Sequence, residues 1–244
     1  SKGTSTRWRG RRGASSAILC GGPCVRQEDA EALRGKVRTI AVNTEFRIAP
    51  WADMLYFCDH EWVIQWRNHP DFRAFAGLKI ALQNARTWEI DKSIVVIENY
   101  GGPESGKHGI CDAPDGVHTG RSSGCQALEL SWKLGARRAL LLGFDMRAVD
   151  GRTHWHSGTA DAHGRQTVAK DYGTTMLPPF GPLKRDLDAR GFEVWNLTPG
   201  SALTLWPFVG ISEAVARLDA ERAAEACART EAAAAQYTFA VAGR

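Results

Sequence analysis

An open, mostly parallel α/β sheet with helices on both faces is the fold class that this sequence predicts, and three observations lead there. From Ala17 onward, apolar runs of strand length alternate with amphipathic segments of helix length, the pattern of parallel strands joined by crossover helices. Several of those runs end at once in glycine or in short polar residues, as strands do at the mouth of such a sheet. With 244 residues and 43% hydrophobic content, the chain can bury a large core.

The first strand is expected at 16–20. It breaks off inside AILCGGPCV (residues 17–25), where Gly21 and Gly22 either let a backbone approach a phosphate closely or merely turn the chain. A third glycine is missing after Gly22, so the six-residue dinucleotide fingerprint is absent. A helix over 26–34 leads to a strand over 37–43, which runs into Asn43. A strand over 53–58 precedes a helix over 60–68, where Trp62 and Trp66 stand four apart on one face and read as packing residues, a stacking platform for a base or sugar being the alternative. Strands over 79–82 and 93–97 follow. Ser122 and Ser123 open a helix over 122–134, as serine at an N-cap does, and a strand over 138–143 ends in Gly143-Phe144-Asp145.

Residues 144–179 then leave the sheet. They hold three histidines, four glycines and two prolines with little apolar periodicity, the profile of a lid or binding loop. A helix over 180–190 and a strand over 192–196 complete the sheet. The Ala-, Glu- and Arg-rich stretch 211–236 predicts a strong helix, packed on the domain or on another copy of the chain in a homo-oligomer. The chain thus divides into a basic tail over 1–14, an α/β domain over 15–210 with its lid at 144–179, and a C-terminal helix and tail over 211–244.

Composition narrows the classes. No run of about 18 apolar residues predicts a spanning helix, and no leader pattern opens the chain, so no membrane partner and a cytoplasmic location are expected, the host cytoplasm if the gene is a phage's. Six cysteines lack paired spacing and read as reduced core or loop residues; Cys20 and Cys24 share a loop, where a redox or metal role is the alternative. The net charge is +4, with five basic residues among the first twelve, a tail that either stays solvated or touches nucleic acid phosphates.

The order of motifs carries a resemblance. CGGPCV, then IAVNTEFRIAPWADMLYFCD, then TGRSSGCQALELSWKLGARRALLLGFDM, and last VWNLTPGSAL, over about residues 16–209, resemble the Rossmann-like group containing bacterial lipooligosaccharide sialyltransferases. The order is also similar to the domain of the 6-hydroxymethylpterin diphosphokinases. The APWAD stretch (residues 49–53) and HWH stretch (154–156) resemble phage and prophage proteins. Two positions depart from the sialyltransferase pattern: Gly21 stands where an Asn is usual, and Cys24 where a Ser is usual.

The resemblance implies a nucleotide-binding transferase of glycosyltransferase type, using a CMP-type or UDP-type nucleotide sugar held by Gly21, Gly22, Asn43, Ser122, Ser123 and Gly124. The residue chemistry agrees: an Asn amide both donates and accepts, and a helix N-terminus bearing two hydroxyls offers donors to an anion. The excursion would supply an imidazole base, His154 or His156, while Asp145 orients the donor or a cation. His154 and His156 with His163 or Asp161 could instead hold a metal. A Mg²⁺-dependent pyrophosphoryl transfer with Asp59 and Asp145 as metal carboxylates, and a non-catalytic binding module, are the competing readings. The acceptor is left open.

Overall fold

The structure, a computed structural model, describes residues 13–85, 91–101, 107–118, 120–156 and 172–242, the last ten as backbone only. Eight strands form one sheet: β1 (Ser15–Leu19), β2 (Arg38–Val42), β3 (Met54–Phe57), β4 (Leu78–Leu82), β5 (Val95–Gly101), β6 (Gly116–His118), β7 (Arg138–Leu142) and β8 (Glu193–Asn196). Their spatial order is 6-5-4-3-2-1-7-8, and every pairing among them is parallel. The chain builds outward from β1 to β6, then returns to add β7 and β8 on the other side of β1. The direction of winding therefore reverses between β1 and β7, and a crevice opens at the carboxyl ends of those strands.

Among the described residues six α-helices cover the sheet: α1 (Gln27–Leu33), α2 (His60–Trp66), α3 (Pro70–Ala74), α4 (Ser123–Lys133), α5 (Phe180–Asp188) and α6 (Ile211–Ala242). Alternation along β1 shows why its run is apolar throughout. Ala17 and Leu19 face a core shared with Leu33, Val63, Trp66 and Leu218, from α1, α2 and α6. Ile18 faces the opposite core, with Leu128, Phe180 and Leu187 from α4 and α5. A strand buried on both faces has no polar side to show. None of these helices is long and apolar enough to cross a membrane, among the described residues.

Two elements escaped the sequence reading. β6 has three residues, too few for a period, and α3 has five, started by Pro70 and by His69, whose ring accepts from the Asp71 amide at 3.2 Å. β6 is held from α4: Glu129 accepts from the amides of Cys111 at 2.8 Å and His118 at 3.0 Å. Trp62 packs with Trp66 at a ring separation of 6.2 Å and with Phe57 at 4.9 Å, and Trp66 is buried. The C-terminal helix runs beyond the expected 236 to Ala242; Ala214 and Leu218 bury its first turns, and its side chains are exposed over 222–232.

Helix α4 is fixed to the sheet by polar bonds as well as by packing. Ser16 and Ser131 share a hydroxyl bond of 2.6 Å, and Tyr56 donates to Gln126 at 3.0 Å. The β7 end is clamped by the late Thr-Pro-Gly-Ser motif. Thr198 accepts from the Phe144 amide at 2.9 Å and Ser201 donates to the Phe144 carbonyl. Between them lies Gly143, at φ 76° with the Cys20 carbonyl only 1.9 Å from where a side chain would begin, so no other residue fits there.

Candidate functional site

A cavity of about 690 Å³ opens at the carboxyl ends of β1, β2, β3 and β7. Gly21, Gly22, Asn43, Ser122, Ser123, Gly124, His154 and His156 all line it, so four stretches that stand far apart in sequence meet at one cavity. Asp59 lines it too. His163 and Asp161 lie outside the described residues, as does most of the basic tail.

The turn after β1 is held by the Cys20 amide on the Leu142 carbonyl at 2.8 Å and the Gly22 amide on the Gly143 carbonyl at 3.0 Å. A Cβ on Gly22 would fall 2.0 Å from Asp145 Oδ2 and 2.5 Å from the Gly143 carbonyl. The protein itself therefore requires the absence of a side chain here, whatever ligand passes over the turn. Asp145, expected at the site, is placed apart from the other residues named for it. It is 1% exposed, lies behind Gly22 rather than on the cavity wall, and accepts from the Cys24 amide at 3.2 Å. Burial raises its pKa, against which bonds from Cys24 work. Its position suits it to hold the turn.

Asn43 ends β2 at φ 57°, a conformation that Asn tolerates better than most residues. Its Nδ2 reaches Ser123 Oγ at 3.4 Å, and its buried Oδ1 has no hydrogen-bond partner among the described residues. The two serines divide their work. Ser122 caps α4, its hydroxyl accepting from the Cys125 amide at 3.2 Å, whereas Ser123 turns across the cavity to Asn43 and to Cys58 Sγ at 3.0 Å. Gly124 lets the helix approach closely, since a Cβ would meet Cys20 Sγ and the Phe144 ring at 2.9 Å. The first turn of α4, with its unmatched N–H groups, is thereby brought to the crevice.

The excursion is anchored here rather than free. The Trp155 amide donates to the Gly21 carbonyl at 3.1 Å, its indole donates to Glu45 Oε1 at 3.0 Å, and Tyr172 donates to the Thr153 carbonyl at 3.0 Å. His154 and His156 stack at 5.2 Å between ring centres. Burial lowers the pKa of both; His156 falls to about 4, with the charges of His154 and Arg47 adding to burial. Both imidazoles are therefore neutral at pH 7 and able to take a proton. His156 Nε2 lies 3.3 Å from Thr44 Oγ1 and His154 Nδ1 lies 3.1 Å from Thr153 Oγ1, which leaves His154 Nε2 as the nitrogen without a protein partner among the described residues.

Glu45 is the site residue that sequence reasoning missed. It is 2% exposed, lines the cavity, and burial pushes its pKa up to about 8. Its one sequence signal was its place two residues after Asn43. Among the described residues no three or more His, Cys, Asp or Glu side chains are placed to share a metal ion; of the two carboxylates named for Mg²⁺, Asp59 lines the cavity and Asp145 is not on its wall.

No protein-family model matches the chain, and no curated protein does. Among solved structures it is similar to the MAf glycosyltransferase from Magnetospirillum magneticum AMB-1, at 12% identity and a TM-score of 0.53, over 86% of this chain and 38% of that one. The likeness is one of fold, and this chain spans little more than a third of that protein's length. Kinship with the sialyltransferases or with the pterin diphosphokinases gains no support from the family or curated comparisons.

Proposed function

We propose that the chain is a nucleotide-binding transferase of glycosyltransferase type, taking a CMP-linked or UDP-linked sugar. One observation carries the reading: the first turn of α4, Asn43 and the glycine turn converge on a large cavity at the point where the sheet reverses its winding, the place where open α/β sheets take ligands. The fold-level likeness to a glycosyltransferase supports it.

In this reading Asn43, Ser123 and the backbone of Gly124 hold the nucleotide, and Ser122 keeps the helix end in shape. His154 takes the proton of the acceptor hydroxyl as that oxygen bonds to the sugar carbon. The bond from that carbon to the phosphate oxygen breaks, and its electron pair leaves with the nucleotide. Placing both partners in one cleft contributes more to the rate than the base alone.

The test is a thermal-shift panel with CMP, UDP, their sugars, and ATP with Mg²⁺. Stabilisation by a cytidine or uridine ligand supports the proposal. Stabilisation by Mg²⁺ and ATP alone would replace it with pyrophosphoryl transfer, and no response to any of them would leave a binding shell of other purpose.

A further inference from the structure

The cavity holds a buried acid that the reading above leaves unused. Glu45 sits in the 3₁₀ turn Asn43–Arg47 directly after β2. Its Oε1 accepts the Trp155 indole N–H, its own backbone N–H also bonds the carboxyl, and no charged neighbour contributes to its titration. The cavity around it is poor in cations: Arg121 is the one arginine on its wall, among the described residues, and no lysine lines it. An anion bound there has to be met mainly by neutral donors.

The protonation state of Glu45 decides whether it is one of them. Ionised, both oxygens only accept, and a buried carboxylate without a cation is strongly disfavoured. Neutral, Oε1 keeps the bond from Trp155 while Oε2 carries a hydrogen that can be donated into the cavity. Burial favours the neutral form, with a pKa of about 8. The groups facing it do not reverse this. From the β1 turn, the Cys20 thiol is itself pushed up by burial and then by Glu45. From the excursion, His154 and His156 are lowered and neutral. Arg47, on the same turn, lies 4.0 Å from Asp71, and Asp145 stands behind the glycine turn with its own pKa raised.

We propose that Glu45 meets the ligand as a neutral acid, donating a hydrogen bond from Oε2 to an anionic phosphate oxygen of the nucleotide-linked donor. Binding is then coupled to one proton that the protein must hold. The inference rests on the nucleotide-sugar reading of this cavity.

The experiment is calorimetric titration of the parent, Glu45→Gln and Glu45→Ala with UDP-glucose and with CMP-N-acetylneuraminate, from about pH 6.5 to 9, where phosphodiester charges stay constant. Circular dichroism at each pH reports the folded fraction. The parent should bind one probe about tenfold more weakly at pH 9 than at pH 7, as Glu45 loses its proton. Glutamine still accepts from Trp155 and still donates, so Glu45→Gln should bind as the parent does at pH 7 and show no loss at pH 9. Glu45→Ala should lose about tenfold at pH 7. Parent affinity that is flat with pH, or a Glu45→Gln variant that keeps the pH dependence or binds as poorly as Glu45→Ala, overturns the inference and leaves the nucleotide-sugar reading standing. If neither probe binds the parent at pH 7, the nucleotide-sugar reading falls and the inference with it.

Discussion

The indole N–H of Trp155 donates to Oε1 of Glu45 at 3.0 Å, joining the polar excursion to the end of β2 across 110 positions of sequence. The bond gives a buried carboxyl its partner and gives the histidines on either side of Trp155 a fixed place over the cavity.

Trp155→Phe should keep the packing and remove that bond. We expect a loss of about 1–3 kcal/mol, the range for leaving a buried polar group unmet. Hydrogen exchange in the stretch 149–156 should quicken beyond what the global loss explains. Unchanged protection there would show that the backbone bond from Trp155 to Gly21 holds the excursion unaided.

Stability should fall as pH rises above neutrality. Glu45 and Glu129 have folded-state values of about 8 and about 7, both raised mainly by burial. A carboxyl raised in the native state contributes stability that is complete below its unfolded value and is lost as pH rises through the folded one. His156, lowered to about 4, acts in the opposite sense and matters only below the ordinary histidine range. Denaturant unfolding should therefore show a loss on the order of 2 kcal/mol between pH 6.5 and 9. Glu45→Gln should flatten most of that slope.

Gly22→Ala should damage the fold as well as any ligand site, because its methyl would fall 2.0 Å from Asp145 Oδ2 and 2.5 Å from the Gly143 carbonyl. A loss above about 3 kcal/mol is expected, in the range of severe overpacking. Adding Asp145→Ala removes only one of the two clashes and should recover part of the loss. A Gly22→Ala protein with parental melting temperature would show that the turn yields.

His154→Ala and Ser123→Ala should separate chemistry from binding once a donor is identified. The first should lower turnover by about 10²- to 10⁴-fold with little change in donor affinity, as loss of a general base does. The second should weaken donor binding by about tenfold or less through one lost donor. His156→Ala should cost less turnover than His154→Ala, because His156 Nε2 is engaged with Thr44.

Much of the architecture is written locally. The apolar runs placed seven of the eight strands and five of the six helices, because a strand buried on both faces must be apolar along its whole length, as β1 is with Ala17, Ile18 and Leu19. β6 and α3 were too short to carry a period. Within the site, Asn43 and the serines could be named because residues at strand ends and helix starts in a parallel sheet have one common place to point.

What the sequence by itself determined was therefore the succession of strands and helices of a parallel sheet and most of the residues delivered to its carboxyl edge. Only the tertiary structure decided which of them face the cavity. Gly22 and Asp145 look alike in sequence, each closing a strand, yet the reversal of winding between β1 and β7 presses one against the other, so the carboxylate is hidden behind the glycine. Ser122 and Ser123 look interchangeable, yet the helical turn spends the first on its own cap. Beyond its place two residues after Asn43, Glu45 gave no local sign, because a carboxyl becomes a buried acid only through neighbours that arrive from elsewhere in the chain: Gly21 from the turn after β1 and Trp155 from the excursion remove its water, and among the described residues no cation contributes to its titration.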